Sequence, residues 1–277
     1  MTNMPLIKTE PLSIERLTVK IADLPPGLSG TKLVQLSDFH YDGLRLARSL
    51  LAEAIAITNG EKPDLILLTG DYVTDEPDPV HDLVSYLQKL QSRLGVYACL
   101  GNHDSWPLSR KLITESLTGI DVKVLWNKIA YPLGKELPIV GLADFWSREF
   151  KPEPVMKQLS PDTPRLVLSH NPDSAKILQK WRVDLQLSGH THGGQIVIPG
   201  VGPVPGLIRE WGQRLPPAIG RHIPYVKNCS HVFKNWQWSQ GFHKLGKNQL
   251  YVNRGLGSYA PGRLFCPPEV TIIELIS

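Results

Sequence analysis

Five times along this chain a short apolar run breaks off into a polar cluster. The five are KLVQLSDFH (32–40), DLILLTGDY (64–72), VYACLGNHD (96–104), RLVLSHNPD (165–173) and VDLQLSGHTH (183–192). Each run has the length and apolar character of a buried strand, and each cluster is built from turn residues. Between several of them lie stretches with apolar residues at helical spacing: 45–60, ending in a glycine, 80–95, with Arg93 in its last turn, and a shorter candidate at 173–181. Parallel strands need crossover connections, usually helical, so this alternation predicts an α/β sheet. In such sheets ligands bind beyond the carboxyl ends of the strands. The polar clusters are therefore the place to look for chemistry.

The second half adds four more β-rich, turn-bounded runs: DVKVLWNK, ELPIVGLAD, QLYVNRGLG and EVTIIELI. They predict a second sheet packed on the first. Residues 199–249 show no clean period and read as a long excursion between two strands. No apolar run approaches the ~18 residues of a membrane span, and the amino-terminal residues lack the zones of a signal peptide. The expected location is the cytoplasm. Cys99, Cys229 and Cys266 are odd in number and far apart, which argues against a disulfide framework or a thiolate zinc site.

The strand ends collect Asp38 and His40, Asp71, Asn102 with His103 and Asp104, His170, and then His190 and His192. Two histidines flanking one threonine are, on their own, more compatible with a solvated turn than with a site. The whole set is different. It joins carboxylates, one carboxamide and several imidazoles with no thiolate, a donor mixture that suits Mn, Fe or Zn. It is also too large for one tetrahedral ion. Two ions about 3.5–4 Å apart, sharing a carboxylate, would use it, and such pairs serve phosphoryl transfer. Gly189, Gly193 and Gly194 are read as letting the backbone turn tightly enough for His190 and His192 both to reach the site.

In order, DFH, GD, GNHD, SHNP and GHTH resemble the signature of the calcineurin-like metallophosphoesterases. GHTHGGQI and RGLGSYAPGRLFCPPE (254–269) also resemble the bacterial YaeI/YkuE-like phosphodiesterase branch of that family. The resemblance spans nearly the whole chain. It implies one domain over 1–277, a four-layer α/β/β/α sandwich with two central mixed sheets, and a dinuclear metal site at the strand carboxyl ends. It implies that Asp38, His40 and His192 hold one divalent ion, that Asn102, His170 and His190 hold the other, and that Asp71 bridges them. It further implies that His103 acts on the leaving group with Asp104 orienting it, and that a metal-bridging hydroxide attacks phosphorus in line.

Where protein phosphatases of the family continue GD into V-D-R-G, this chain reads GDYVTD, with no arginine there and Asp75 one position late. That disfavours phosphoprotein substrates. Tyr41 and Asp42 are either site-lining or loop residues. Arg254 is a candidate phosphate ligand, with an ion-paired arginine as its alternative. Residues 201–250 carry seven cations against Glu210 alone, so this stretch is +6 and the remainder −2. Trp211, Tyr225, Phe233, Trp236, Trp238 and Phe242 are interleaved there. The stretch is either a packed subdomain with a solvated basic face or a lid suited to an anionic membrane surface; nucleic acid is disfavoured and no protein partner is indicated. The resulting expectation is a phosphodiesterase or pyrophosphatase, peripheral at a membrane if the lid reading holds. Its substrate is a phosphorylated small molecule or a lipid-linked nucleotide such as UDP-2,3-diacylglucosamine. The alternatives are an enzyme acting on soluble nucleotides and a non-catalytic metal-binding scaffold of the same fold.

Overall fold

Strands β2 (Lys32–Leu36) and β3 (Leu65–Leu68) are apolar on both faces, and side chains alternate between faces along a strand. Both faces must therefore be covered, and two different layers cover them. Val34, Leu36, Ile66 and Leu68 pack against helices, whereas Leu33, Leu65 and Leu67 pack against a second sheet. The computed structural model, which describes residues 9–214 and 233–277, has four layers in consequence.

The remaining strands are β1 (Ser13–Lys20), β4 (Val96–Ala98), β5 (Lys123–Val124), β6 (Lys128–Ala130), β7 (Ile139–Gly141), β8 (Leu166–Leu168), β9 (Leu185–Ser188), β10 (Val197–Ile198), β11 (Gly202–Pro203), β12 (Gly241–Leu245), β13 (Asn248–Val252) and β14 (Glu269–Ile276). The helices are α1 (Arg48–Gly60), α2 (Val80–Leu87), α3 (Pro107–Thr118), α4 (Pro152–Met156), α5 (Ala175–Leu178) and α6 (Val204–Arg214). One sheet has the order β1-β14-β2-β3-β4-β5 and the other β12-β13-β9-β8-β7-β6. Both are mixed. In the first, β2, β3, β4 and β5 run parallel and β14 pairs antiparallel with β2. In the second, β13, β9, β8 and β7 run parallel between antiparallel edge strands. Leu166, Leu168, Leu185 and Leu187 meet the first sheet across the central core, and α1, α2 and α3 cover its far side. Val140 and Val167 of the second sheet pack against Val155 and Met156 of α4.

Several expectations shift. EVTIIELI does not join the second sheet; β14 lies in the first, between β1 and β2. Strand β1, which pairs with it in parallel over eight residues, was not anticipated, because an edge strand with one exposed face carries little apolar signal. Helix α2 stops at Leu87, well before residue 95. The excursion ends earlier than expected, because β12 already pairs with β13. Tyr225, Arg221, Lys227 and Cys229 lie outside the described residues.

Candidate metal centre

The parallel strands of both sheets deliver their carboxyl ends to one edge, and short loops there carry the polar residues. Five of these residues hold backbone in the left-handed region: Asp38 (φ 50°), His40 (43°), Asp71 (55°), His190 (73°) and His192 (51°). Non-glycine residues enter that region at a cost of roughly 1–3 kcal/mol each, and such strain concentrates where function demands it. The loops are locked to one another. Asp38 and His40 donate backbone N–H groups to Gly70 and Asp71 carbonyls at 2.9 and 3.0 Å, and the His190 N–H reaches the Asp38 carboxylate at 2.9 Å. Gln35 ties the sheets together through Thr69 Oγ1 and the Ser188 carbonyl, both at 2.9 Å.

Glycines make these approaches possible, for two different reasons. Gly193 and Gly194 have φ of 62° and 83°, as the expected tight turn requires. Gly189 does not turn left-handed. Its missing side chain matters because a Cβ there would fall 2.1 Å from both Asp38 Oδ2 and Ser37 Oγ.

The imidazoles are oriented from behind. His170 Nδ1 is 2.7 Å from the Thr69 carbonyl, His192 Nδ1 3.2 Å from the Gly257 carbonyl and His103 Nδ1 2.7 Å from the Thr74 carbonyl. A carbonyl only accepts, so each Nδ1 carries the proton and each Nε2 of a neutral ring presents a lone pair to the site. His40 Nδ1 meets the Tyr259 hydroxyl at 3.0 Å. The front edges then converge in two groups. His40 Nε2 and His192 Nε2 are 3.0 Å apart, with Asp38 Oδ1 at 4.0 and 3.5 Å from them. In the other group, His170 Nε2 lies 3.1 Å from Asp71 Oδ2, and a His190 ring nitrogen falls in the same cluster. Asp71 Oδ2 is also 3.4 Å from His40 Nε2, so this one carboxylate touches both groups.

Divalent metal fits this donor set. Asn102 Oδ1 is a buried atom with no hydrogen-bond partner among the described residues, and His170 Nε2, also buried, makes no well-formed hydrogen bond there although Asp71 Oδ2 lies 3.1 Å away. Asp38 and Asp71 are almost fully buried, and among the described residues their only ion-pair partners are histidines. Buried carboxylates without a fixed cation are costly, and a metal ion supplies that cation. The electrostatics carry the same sign. Burial by itself would lower the His170 imidazole, yet the Asp71, Asp38 and Asp144 carboxylates push it up to about 10. Burial raises the Asp71 carboxyl, but the His170 and His103 imidazoles hold it well below the usual carboxylate range. His192 is driven the other way, by burial and then by His40 and Arg263, and stays neutral as a ligand must.

The structure thus brings His40, Asp71, Asn102, His103, His190 and His192 around one cavity of about 320 Å³, with His170 behind Asp71 and Asp38 buried behind His40 and His192. Four candidate residues have other surroundings. Asp104 does not orient the His103 ring. Its carboxylate accepts from the backbone N–H groups of Asp71, Tyr72 and Gly101 at 2.7–2.9 Å, fixing the two loops, and the Thr74 carbonyl holds the ring. Arg254 is committed to ion pairs with Glu15 at 2.5 Å and Glu269 at 3.0 Å, the alternative already weighed against phosphate binding. Tyr41 turns into the helical layer, where its hydroxyl meets Asp82. Asp42 pairs with Arg45, whose guanidinium sits 4.8 Å over the Tyr259 ring.

Two residues were missed, Tyr259, which lines the metal cavity, and Asp144, which lines the cleft beside it. Tyr259 has its hydroxyl 3.4 Å from His103 Nε2 as well as 3.0 Å from His40. Burial, followed by the Asp71 charge, pushes its phenol up, so it remains a neutral donor. Asp144 stands three residues beyond β7, and burial raises its carboxyl to about 6. Its signal was present: GLAD is a sixth apolar run ending in a carboxylate. In the excursion, Phe233 is buried, Trp236 lines the metal cavity, Trp238 packs on Leu250 and Val252, and Trp211 stays exposed.

Comparison with known proteins agrees with this geometry. The sequence profile described as "Calcineurin-like phosphoesterase" matches residues 31–194. The chain is 34% identical to phosphodiesterase YaeI of Escherichia coli, over 96% of this chain and 90% of YaeI. It is 31% identical to the uncharacterized metallophosphoesterase YkuE of Bacillus subtilis, over 97% and 87% of the two chains. It is 27% identical to the UDP-2,3-diacylglucosamine pyrophosphatase LpxG of Chlamydia muridarum, over 96% and 89%.

Proposed function

The chain belongs to the calcineurin-like phosphoesterase family of metal-dependent phosphoester hydrolases, and from that premise we propose that it cleaves a phosphodiester or pyrophosphate bond with two divalent ions. Asp38, His40 and His192 would hold one ion, Asn102, His170 and His190 the other, and Asp71 both. The observation that carries this reading is the reach of Asp71 Oδ2, 3.4 Å from His40 Nε2 and 3.1 Å from His170 Nε2, across two clusters whose imidazoles are already oriented. The donor set suits Mn, Fe or Zn. When bound, such a pair would bring the pKa of water towards neutrality and offset charge on the phosphoryl oxygens.

The chain's own residues do the rest. Because Thr74 keeps the proton on His103 Nδ1, a second proton on Nε2 makes an imidazolium, and this is the proton His103 gives to the departing oxygen. The neutral Tyr259 hydroxyl steers that edge of the ring. Asp104 holds the Asp71 and Gly101 backbone, and so sets the distance between bridge and acid.

For the substrate, a lipid-linked pyrophosphate of the kind named for the Chlamydia muridarum relative is favoured by the rim. Trp106, Leu108, Val201, Trp211, Leu264 and Phe265 are all exposed on segments that follow strand carboxyl ends. Apolar and aromatic residues beside a basic stretch suit an anionic lipid surface, which would place the protein peripherally on a membrane. Among the described residues no helix is long and apolar enough to cross one.

Hydrolysis of bis(p-nitrophenyl) phosphate with added Mn²⁺ tests the chemistry. The expected outcome is p-nitrophenolate release that EDTA abolishes; no turnover with any divalent ion would leave a non-catalytic scaffold. Flotation with anionic liposomes tests the surface, where Trp211→Ala and Trp106→Ala should each weaken binding that salt only partly removes. No flotation at low salt would favour soluble nucleotide substrates.

A further inference from the structure

Beside the metal centre lies a second cleft, of about 670 Å³, which shares Asn102 and Trp146 with it. Trp146 is the partition. Its ring meets His190 edge-on at 5.0 Å, while nearly half of the residue, 47%, remains exposed. Trp106, 74% exposed just before α3, forms another wall, with Ser105, Arg110 and Arg148 also lining the cleft. Asp144 contributes from the loop after β7 and is only 2% exposed. Its Oδ2 accepts from the Trp146 backbone N–H at 3.0 Å, but its Oδ1 is buried and has no hydrogen-bond partner among the described residues. A buried carboxylate oxygen without a donor is unfavourable, and such groups mark places where a donor arrives from elsewhere.

The cleft calls for a group with two characters. It must offer an apolar face to tryptophan rings and a hydroxyl to Asp144. An acyl chain supplies the first and not the second. A nucleobase could stack, but the cleft begins directly at Asn102, which also lines the metal cavity, and the group joined directly to phosphorus in a nucleotide is the sugar. We propose that this cleft is the subsite for a sugar ring esterified to the phosphoryl group, with one ring hydroxyl donating to Asp144 Oδ1 and the C–H face resting on Trp106 and Trp146. The assignment rests on the reading that the adjacent centre holds that phosphoryl group. The ring belongs either to a glycosyl phosphate or to the ribose of a nucleotide.

Calorimetric titration of the Mn²⁺-loaded protein separates these cases without relying on turnover. Glucose 1-phosphate, ribose 5-phosphate, uridine 5′-monophosphate, ethyl phosphate and octyl phosphate are the probes. One or both sugar phosphates should bind about tenfold or more tighter than ethyl phosphate, the scale of one hydrogen bond to a charged group. Asp144→Asn and Trp106→Ala should each reduce that ratio by about the same factor; Trp106 is exposed enough that its replacement leaves folding intact. Preference for glucose 1-phosphate identifies a glycosyl source, and preference for ribose 5-phosphate a nucleotide. The proposal is overturned if the ratio is near one, if neither variant changes it, or if octyl phosphate binds tightest. It is also overturned if uridine 5′-monophosphate alone gains affinity, which would mean a base subsite, or if no probe binds. Sugar selectivity retained by a protein that hydrolyses no diester upholds the subsite and removes the phosphodiesterase reading.

Discussion

Gly189→Ala is a small substitution with a large expected effect. The added Cβ would lie 2.1 Å from Asp38 Oδ2 and from Ser37 Oγ, where ordinary contact begins at 3.4 Å. Something must therefore move by about 1.3 Å, the difference between those two distances. Neither neighbour is a loose chain end: Asp38 and Ser37 are both fully buried. Asp38 also accepts the His190 N–H at 2.9 and 3.0 Å, and moving it surrenders that charged hydrogen bond. Overpacking and the lost bond together should cost roughly 3–5 kcal/mol, lowering the melting temperature by about 6–20 °C in a domain of this size. A ligand displaced by an ångström should also cost about 10²-fold in rate. Thermal melts in EDTA read the first effect apart from metal binding, and bis(p-nitrophenyl) phosphate turnover reads the second. Gly27→Ala is the control, because no atom lies within 4 Å of its Cβ position. If Gly189→Ala melted within 2 °C or so of the control and kept full turnover, the close approach inferred between β9 and the Asp38 loop would be wrong.

Removing the proton donor by His103→Ala should leave metal content intact and slow turnover roughly 10²–10⁴-fold. The loss should shrink for p-nitrophenolate leaving groups, and an equal loss for all leaving groups would mean a clamping role. Tyr259→Phe keeps the ring but removes the hydroxyl from His40 and His103; kcat should fall by about tenfold at unchanged metal stoichiometry, and wild-type kcat would contradict the steering role. In EDTA, His170 sets a pH dependence. Its folded pKa of about 10 lies above its ordinary 6.5, so its contribution to stability is complete below about pH 6.5 and is lost as pH rises through 10. The melting temperature of metal-free protein should fall over that interval, less steeply in His170→Asn, and identical slopes for the two would refute the assignment.

The strand ends were readable because burial on both faces makes a strand mostly apolar, so the polar cluster after each run stands out. That rule located Asp38, Asp71, Asn102, His170 and His190, and applied once more it would have found Asp144. It says nothing of Tyr259, which lies seven residues past β13 in a glycine-rich loop and is aimed by long-range packing over His40 and under Arg45. Nor could spacing reveal that Asp104 binds backbone rather than its neighbouring ring; adjacency in sequence does not set side-chain direction in a turn. Helix α3 was overlooked because only Ile113 and Leu117 of its twelve residues are buried, too thin a stripe to read as periodic. The basic excursion was legible as composition alone. Its described aromatics divide between packing and exposure, a division that composition does not determine.

Metal content of the wild type and Asp71→Asn, measured by inductively coupled plasma mass spectrometry after loading with Mn²⁺ and gel filtration, tests the central claim most directly. Among the described residues Asp71 is the one carboxylate within 3.4 Å of imidazoles from both clusters. The account predicts two ions per wild-type chain, and in Asp71→Asn a loss from both sites together with most of the turnover. An Asp71→Asn protein that retained two ions and full activity would contradict it.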